Sequence, residues 1–214
     1  MVRNILFDFD GVLVESVQVK AEAFRQLYKE YGEEIASKVV EHHLQNGGVS
    51  RFEKIKYWHK EYLGIDLTPQ QVNELADKYS DLVLQGVLDA KEVSGASDFL
   101  KAYASYFHCW IVTGTPTSEI RDILEQKKWN KYFLEAYGSP EKKTFWTQKI
   151  IKDNALDQHE TVFVGDAMAD YEAASNAGIP FILRKTDENA PLFNNYKGCT
   201  INDITELEKV LNRF

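Results

Sequence analysis

The sequence predicts an α/β fold, a parallel sheet flanked by helices, with a block of helices inserted after the first strand. Three observations carry this reading. Ile5-Leu6-Phe7 forms a short apolar strand near the start. From about residue 17 to 85, apolar side chains recur at helical spacing almost throughout. After about residue 90, short apolar runs alternate with amphipathic helices, the pattern of parallel strands joined by crossovers.

Taken in order, residues 1–14 read as a strand and a turn. The helical block follows, with Ala21, Phe24, Leu27, Tyr28 and Tyr31 on one stripe, then Phe52 and Ile55, then Val72, Leu75, Ala76, Tyr79, Leu82 and Val83. Gly47-Gly48 breaks the texture, and Thr68-Pro69 offers a cap residue with proline at the first helical position. Beyond it, Cys109–Gly114, Thr161–Ala167 and Pro180–Arg184 are short, rich in β-branched or aromatic residues, and bounded by Gly, Thr or Pro. Helices are expected at about 95–106, 117–128, 143–154 and 168–177, then a weak last strand, Cys199–Asn202, and a helix over 203–213. The chain thus divides into a core of residues 1–14 and 89–214 and a helical insertion of residues 15–88.

The composition of this 214-residue chain, 44% hydrophobic and 13% aromatic, supplies a packed core and excludes a disordered chain. A formal net charge of −8 argues against general nucleic-acid binding, which needs a basic surface. It leaves room for a phosphorylated substrate, because a bound metal reverses the local sign. Cys109 and Cys199 have no paired spacing and read as reduced thiols. Charge appears within the first eight residues and no apolar run reaches membrane-spanning length. The expectation is a soluble cytoplasmic protein that contacts no membrane, of a subunit number that the sequence leaves open.

The chemistry concentrates at strand ends. Asp8 and Asp10 alternate around Phe9, so a strand period of two points both carboxylates to one side. Thr113-Gly114 ends a second strand, Gly165-Asp166 ends a third, and Asp170 follows four residues later. Lys142 and Lys143 lie between them in Gly138–Thr144. Open parallel sheets bind ligands beyond the carboxyl ends of their strands. Four carboxylates meeting there repel unless a cation intervenes, and a hard divalent ion with oxygen ligands, Mg²⁺ by preference, is the simple solution.

These four segments, in this order, resemble the motifs of the haloacid dehalogenase superfamily in its phosphatase branch. Asp8-Phe9-Asp10-Gly11-Val12 resembles the first motif, Thr113 the second, Lys143 the third, and Gly165-Asp166 with Asp170 the fourth. The helical insertion resembles the helical cap of many members, and the core their Rossmann-like sheet. The family's lysine is usually followed by proline; here neither candidate is, and Lys143 is preferred to Lys142 because it precedes Thr144, a good cap residue. The resemblance implies a Mg²⁺-dependent phosphatase acting on a small phosphorylated metabolite such as a sugar phosphate or phosphoglycolate. Asp8 would be the nucleophile and Asp10 the acid–base. Thr113 and the Gly114 N–H would bind phosphoryl oxygens, and Lys143 would neutralise charge. Asp8, the Asp10 backbone carbonyl and Asp166 would hold the metal, with Asp170 acting through contacts behind them or metal-bound water. Asp10 favours phosphate esters, because branches that cleave carbon–halogen or carbon–phosphorus bonds lack an acid there.

In the insertion, Arg51 in Asn46–Trp58 is a candidate for an anionic part of the substrate, beside Lys54 and Lys56. A solvated helix face is the plainer reading of that charge run. His42 and His43 precede it and read as surface or packing residues. The rival to hydrolysis is a sugar phosphomutase of the β-phosphoglucomutase type, which needs a tighter cap and a second basic contact. A non-catalytic metabolite-binding protein is the rival from another class.

Overall fold

The computed structural model describes all residues, 1–214. Six parallel strands form one sheet in the order β3-β2-β1-β4-β5-β6, with β1 Asn4–Phe7, β2 His108–Pro116, β3 Glu135–Ser139, β4 Thr161–Gly165, β5 Phe181–Arg184 and β6 Cys199–Ile201. The first strand sits in the middle, with Phe7 opposite Ile111 of β2 and Val164 of β4. Both faces are covered, which explains the unbroken apolar runs Ile5–Phe7, Cys109–Val112 and Val162–Val164. Ile5, Phe7, Ile111, Val162 and Val164 pack on one side; Leu6, Trp110, Val112 and Phe163 pack on the other.

Four helices fill the segment between β1 and the rest of the sheet: α1 Val17–Tyr28, α2 Glu33–Gln45, α3 Arg51–Leu63 and α4 Pro69–Asp89. The Thr68 hydroxyl and Gln71 side chain cap α4 reciprocally, as Thr68-Pro69 foretold. Phe24, Tyr28, Trp58 and Tyr79 are wholly buried where these helices meet. Their apolar cluster is continuous with the β1 face that carries Phe7. Five more helices flank the sheet: α5 Ala96–Tyr103, α6 Thr117–Gln126, α7 Lys143–Asp153, α8 Met168–Asn176 and α9 Leu207–Leu211.

Two expectations are corrected. The edge strand β3 falls in a stretch with no apolar run, and Glu135 and Tyr137 are only half-buried. An edge strand with one exposed side does not advertise itself by hydrophobicity. The C-terminal helix shrinks to a 3₁₀ turn, Ile204–Glu206, followed by one turn and a half of α-helix, Leu207–Leu211. Its N-terminus is set by Asp203, whose carboxylate accepts from the Thr205 N–H at 2.9 Å.

Candidate active site

Regular pairing of β1 stops at Phe7, although the Asp8 N–H still donates to Val164 O at 2.9 Å. The chain then folds back, with the Gly11 N–H on Val14 O at 2.8 Å. Asp8 and Asp10 are therefore placed by a turn that follows the strand, where the sequence suggested strand alternation alone. Gly11 makes that turn possible: its φ is +74°, and a Cβ there would lie 2.1 Å from Asp166 Oδ2.

Because β1 is central, the ends of β2 and β4 flank Asp8. Lys143, the first residue of α7, reaches it from the loop after β3. Its Nζ lies 2.9 Å from Asp8 Oδ2 and 2.6 Å from Asp170 Oδ1, and all three side chains are buried. Lys142 instead points outward, largely exposed, 3.7 Å from Glu53. Burial opposes the Lys143 charge, but Asp170 and Asp8 outweigh it and push the ammonium up. Asp170 Oδ2 accepts the Asp166 and Ala167 N–H groups at 3.2 and 3.0 Å, capping α8.

Asp8, Asp166 and Asp170 each bring a carboxylate oxygen within 4.8 Å of the others. Burial pushes the Asp8 carboxyl up to about 7, with Lys143 opposing and Asp170 and Asp10 adding repulsion. Burial likewise raises Asp166, and Asp8 and Asp170 raise it further. Asp166 has no ion pair. Three clustered carboxylates, of which Asp8 and Asp166 resist ionisation and Asp166 is unpaired, are a donor set that fits a hard divalent cation.

The Asp10 carboxylate lies outside that cluster. Lys20 Nζ, from α1, is 2.5 Å from Oδ2, and the Ser16 hydroxyl donates to Oδ1 at 2.6 Å. Thr115 Oγ1 donates to Oδ2 at 3.2 Å and accepts from Lys20 at 2.6 Å; Thr113 Oγ1 lies 3.5 Å from Oδ2. Burial pushes Asp10 up, yet Lys20 and Ser16 prevail and the net shift is downward. Sequence reading missed Lys20, Ser16 and Thr115.

The inserted helices close over this end of the sheet. A Cβ on Gly114 would lie 2.7 Å from Gly48 O, and one on Gly48 (φ +75°) would lie 3.2 Å from Lys143 Nζ. A cavity of about 210 Å³ remains, bounded by Asp8, Asp10, Thr113 and Asp166 below and by Lys20, Lys54 and Arg51 above. Arg51 reaches this cavity, but its two terminal guanidinium nitrogens donate to Glu119 of α6 at 2.7 and 2.8 Å. Its charge is thus engaged within the protein. His43 is buried against Phe24, and His42 stacks on Tyr57.

This arrangement, an acidic centre at the end of a central parallel strand with a lysine on its first aspartate, defines a hydrolase of the aspartate-centred α/β class. Comparison with known proteins agrees. The haloacid dehalogenase-like hydrolase profile matches residues 5–184. The chain belongs to that family, and it is an enzyme of the phosphatase type. A phosphoglycolate phosphatase of Pseudomonas savastanoi pv. phaseolicola is 24% identical, with 96% of this chain and 78% of the relative covered. Among solved structures, a protein assigned as a β-phosphoglucomutase from Bacteroides vulgatus superposes with a TM-score of 0.76 at 18% identity, covering 99% of this chain and 89% of that one. The magnesium-bound hydrolase YfnB of Bacillus subtilis superposes at 0.67 and 19%, with 99% of each chain covered. These structural likenesses establish the fold. No helix is long and apolar enough to cross a membrane.

Proposed function

We propose that the protein hydrolyses a small phosphate monoester through a phosphoaspartate on Asp8, with Mg²⁺ as cofactor and helices α1–α4 acting as a cap. The observation that carries this is the pairing of Asp8 with Lys143 at 2.9 Å, beside the unpaired Asp166 and below Asp10. Asp8, the Asp10 carbonyl and Asp166 would hold the metal, with Asp170 behind them. When bound, Mg²⁺ supplies positive charge that screens the phosphoryl oxygens from the nucleophile and lowers the Asp8 pKa.

The residues divide the work. An Asp8 carboxylate oxygen attacks phosphorus, the bond from phosphorus to the ester oxygen breaks, and Asp10 gives that oxygen its proton. Asp10 then takes a proton from water as the water oxygen attacks the phosphorus of the acyl phosphate. The phosphorus–Asp8 bond breaks, releasing inorganic phosphate and free Asp8. Lys20 holds Asp10 ionised in the empty cleft; the dianionic phosphate, brought beside it, raises Asp10 towards the protonated form that the first step needs. Thr113 and the Gly114 N–H receive phosphoryl oxygens, and Lys143 offsets the charge on Asp8 as it transfers. The closed cap keeps bulk water from the site. The small cavity suits a metabolite below drug size, for which about 300 Å³ or more is usual.

Phosphorus NMR of the protein with Mg²⁺ and a panel of phosphorylated sugars and acids tests this reading. The expected result is free phosphate that vanishes with chelator and with Asp8→Asn. Ester signals that move without free phosphate would replace hydrolysis with phosphoryl transfer within the substrate, and spectra that stay unchanged would reject both.

A further inference from the structure

Lys54 is a buried cavity charge that neither the proposed hydrolysis nor an ion pair of the protein uses. Four other buried charged side chains line the cavity, and each has an ion-pair partner: Asp8 with Lys143, Lys20 with Asp10, Arg51 with Glu119, and Arg184 with Glu15. Lys54 is 2% exposed and has none. Its Nζ finds His43 Nδ1 at 3.0 Å and, weakly, His43 O at 3.5 Å. An ammonium has three protons to donate, and a neutral imidazole cannot balance its charge. Burying an unpaired ammonium is costly, and an anion brought beside Lys54 would offset that cost and favour its charged form.

The neighbours define that ligand. Besides burial, the charges acting on Lys54 are chiefly Lys20 and then Lys143, both positive, with Asp10 a weaker opposing influence. His43 is held neutral by burial and by Lys54 and Lys20, so it accepts from Lys54 and adds no charge. Lys54 therefore sits among positive charges, in the same cavity as Asp10, the aspartate proposed to protonate the leaving oxygen. Lys143 is already paired with Asp8.

We infer that Lys54, backed by His43, is a specificity-determining anion site for a second negative group, a carboxylate or a second phosphate, on the leaving-group side of the substrate. This rests on the phosphatase reading for its orientation. It narrows the substrate to phosphate monoesters of hydroxy acids or of phosphorylated alcohols, and away from neutral sugar monophosphates.

The test compares 2-phosphoglycolate, which carries the second anion, glycerol 1,3-bisphosphate, which carries it as phosphate, and 2-hydroxyethyl phosphate, which lacks it. Binding is measured by calorimetry with Mg²⁺ in the Asp8→Asn protein, with and without Lys54→Met or Lys54→Arg. Lys54→Met is expected to weaken at least one of the first two ligands by about thirtyfold or more, as loss of one partner of a buried charge pair does, while 2-hydroxyethyl phosphate changes little. Lys54→Arg is expected to recover part of the loss. Whichever of the first two ligands is hit harder names the anion. Equal losses for all three would assign Lys54 to the phosphoryl group or to folding, and no loss would leave it without a ligand role; either result overturns the inference. Because binding is read without turnover, a native protein that bound in this Lys54-dependent way but released no phosphate would retain the anion site and refute the hydrolysis.

Discussion

Burial, reinforced by Lys20 and Lys143, lowers the Lys54 pKa from 10.5 to about 7. Between those values the unfolded chain holds a proton that the folded chain has released, so stability rises with pH through that window. Below about pH 7 the folded protein carries the buried charge at full cost; above pH 10.5 the cost is gone. Lys54→Met should therefore stabilise the ligand-free protein by on the order of a few kcal/mol at pH 6, with the gain fading towards pH 10. Urea unfolding at several pH values reads this directly, and a variant less stable than the parent at pH 6 would contradict it. The residue was half legible in the sequence. Lys20 and Lys54 both occupy apolar-stripe positions, Lys20 four before Phe24 and Lys54 four before Trp58. A lysine inside such a stripe is the signal of a buried cation, and reading Arg51, Lys54 and Lys56 as one charge run hid it. Lys56 is exposed; the other two are not.

At the scale of elements, α3 is tied to α6 by the Arg51–Glu119 pair, with Ser80 of α4 donating to Glu119 Oε2 at 2.8 Å. Removing one partner leaves a buried charge, so Glu119→Ala should cost about 3–5 kcal/mol. Arg51→Met in the same protein should recover much of that, and the double-mutant cycle should show coupling above about 1 kcal/mol. Additive losses would mean that the pair does not hold the insertion to the sheet. Helix–strand alternation after residue 90 was readable because β2, β4 and β5 are buried on both faces and so form unbroken apolar runs. The edge strand β3 lacks that pressure, and the turn that sets Asp8 against Asp10 depends on Gly11 and Val14, which carry no chemistry of their own.

For the whole molecule, a net charge of −8 surrounds a cleft whose upper wall presents Lys20, Lys54 and Arg51. Lys20 and Arg51 are paired with Asp10 and Glu119, so Lys54 is the unpaired cation of that wall, and the net negative charge outside discourages polyanions such as nucleic acid. The carboxylates below give the opposite preference for a cation. Mg²⁺ should raise the melting temperature by several degrees at about a hundred times its Kd, since binding there contributes about 2.7 kcal/mol to a chain of this size. Asp166→Asn should abolish that shift and, by removing repulsion among Asp8, Asp166 and Asp170, stabilise the metal-free protein. A shift of the same size in Asp166→Asn would place the cation elsewhere. The segments that carry Asp8, Thr113, Lys143 and Asp166 were legible as motifs, while the strand order was not read from the sequence. The closure of the helices over them was not, because it depends on contacts such as Gly48 against Gly114 that join residues distant in sequence.

The proposed hydrolysis requires that Asp8 become phosphorylated. Borohydride reduces an acyl phosphate to the alcohol, so quenching the protein with borohydride during turnover, followed by peptide mass spectrometry, reads the intermediate directly. Homoserine is expected at position 8 in the native protein, only when Mg²⁺ and a hydrolysed substrate are both present. Turnover with Asp8 recovered intact, or homoserine found at another aspartate, would contradict it.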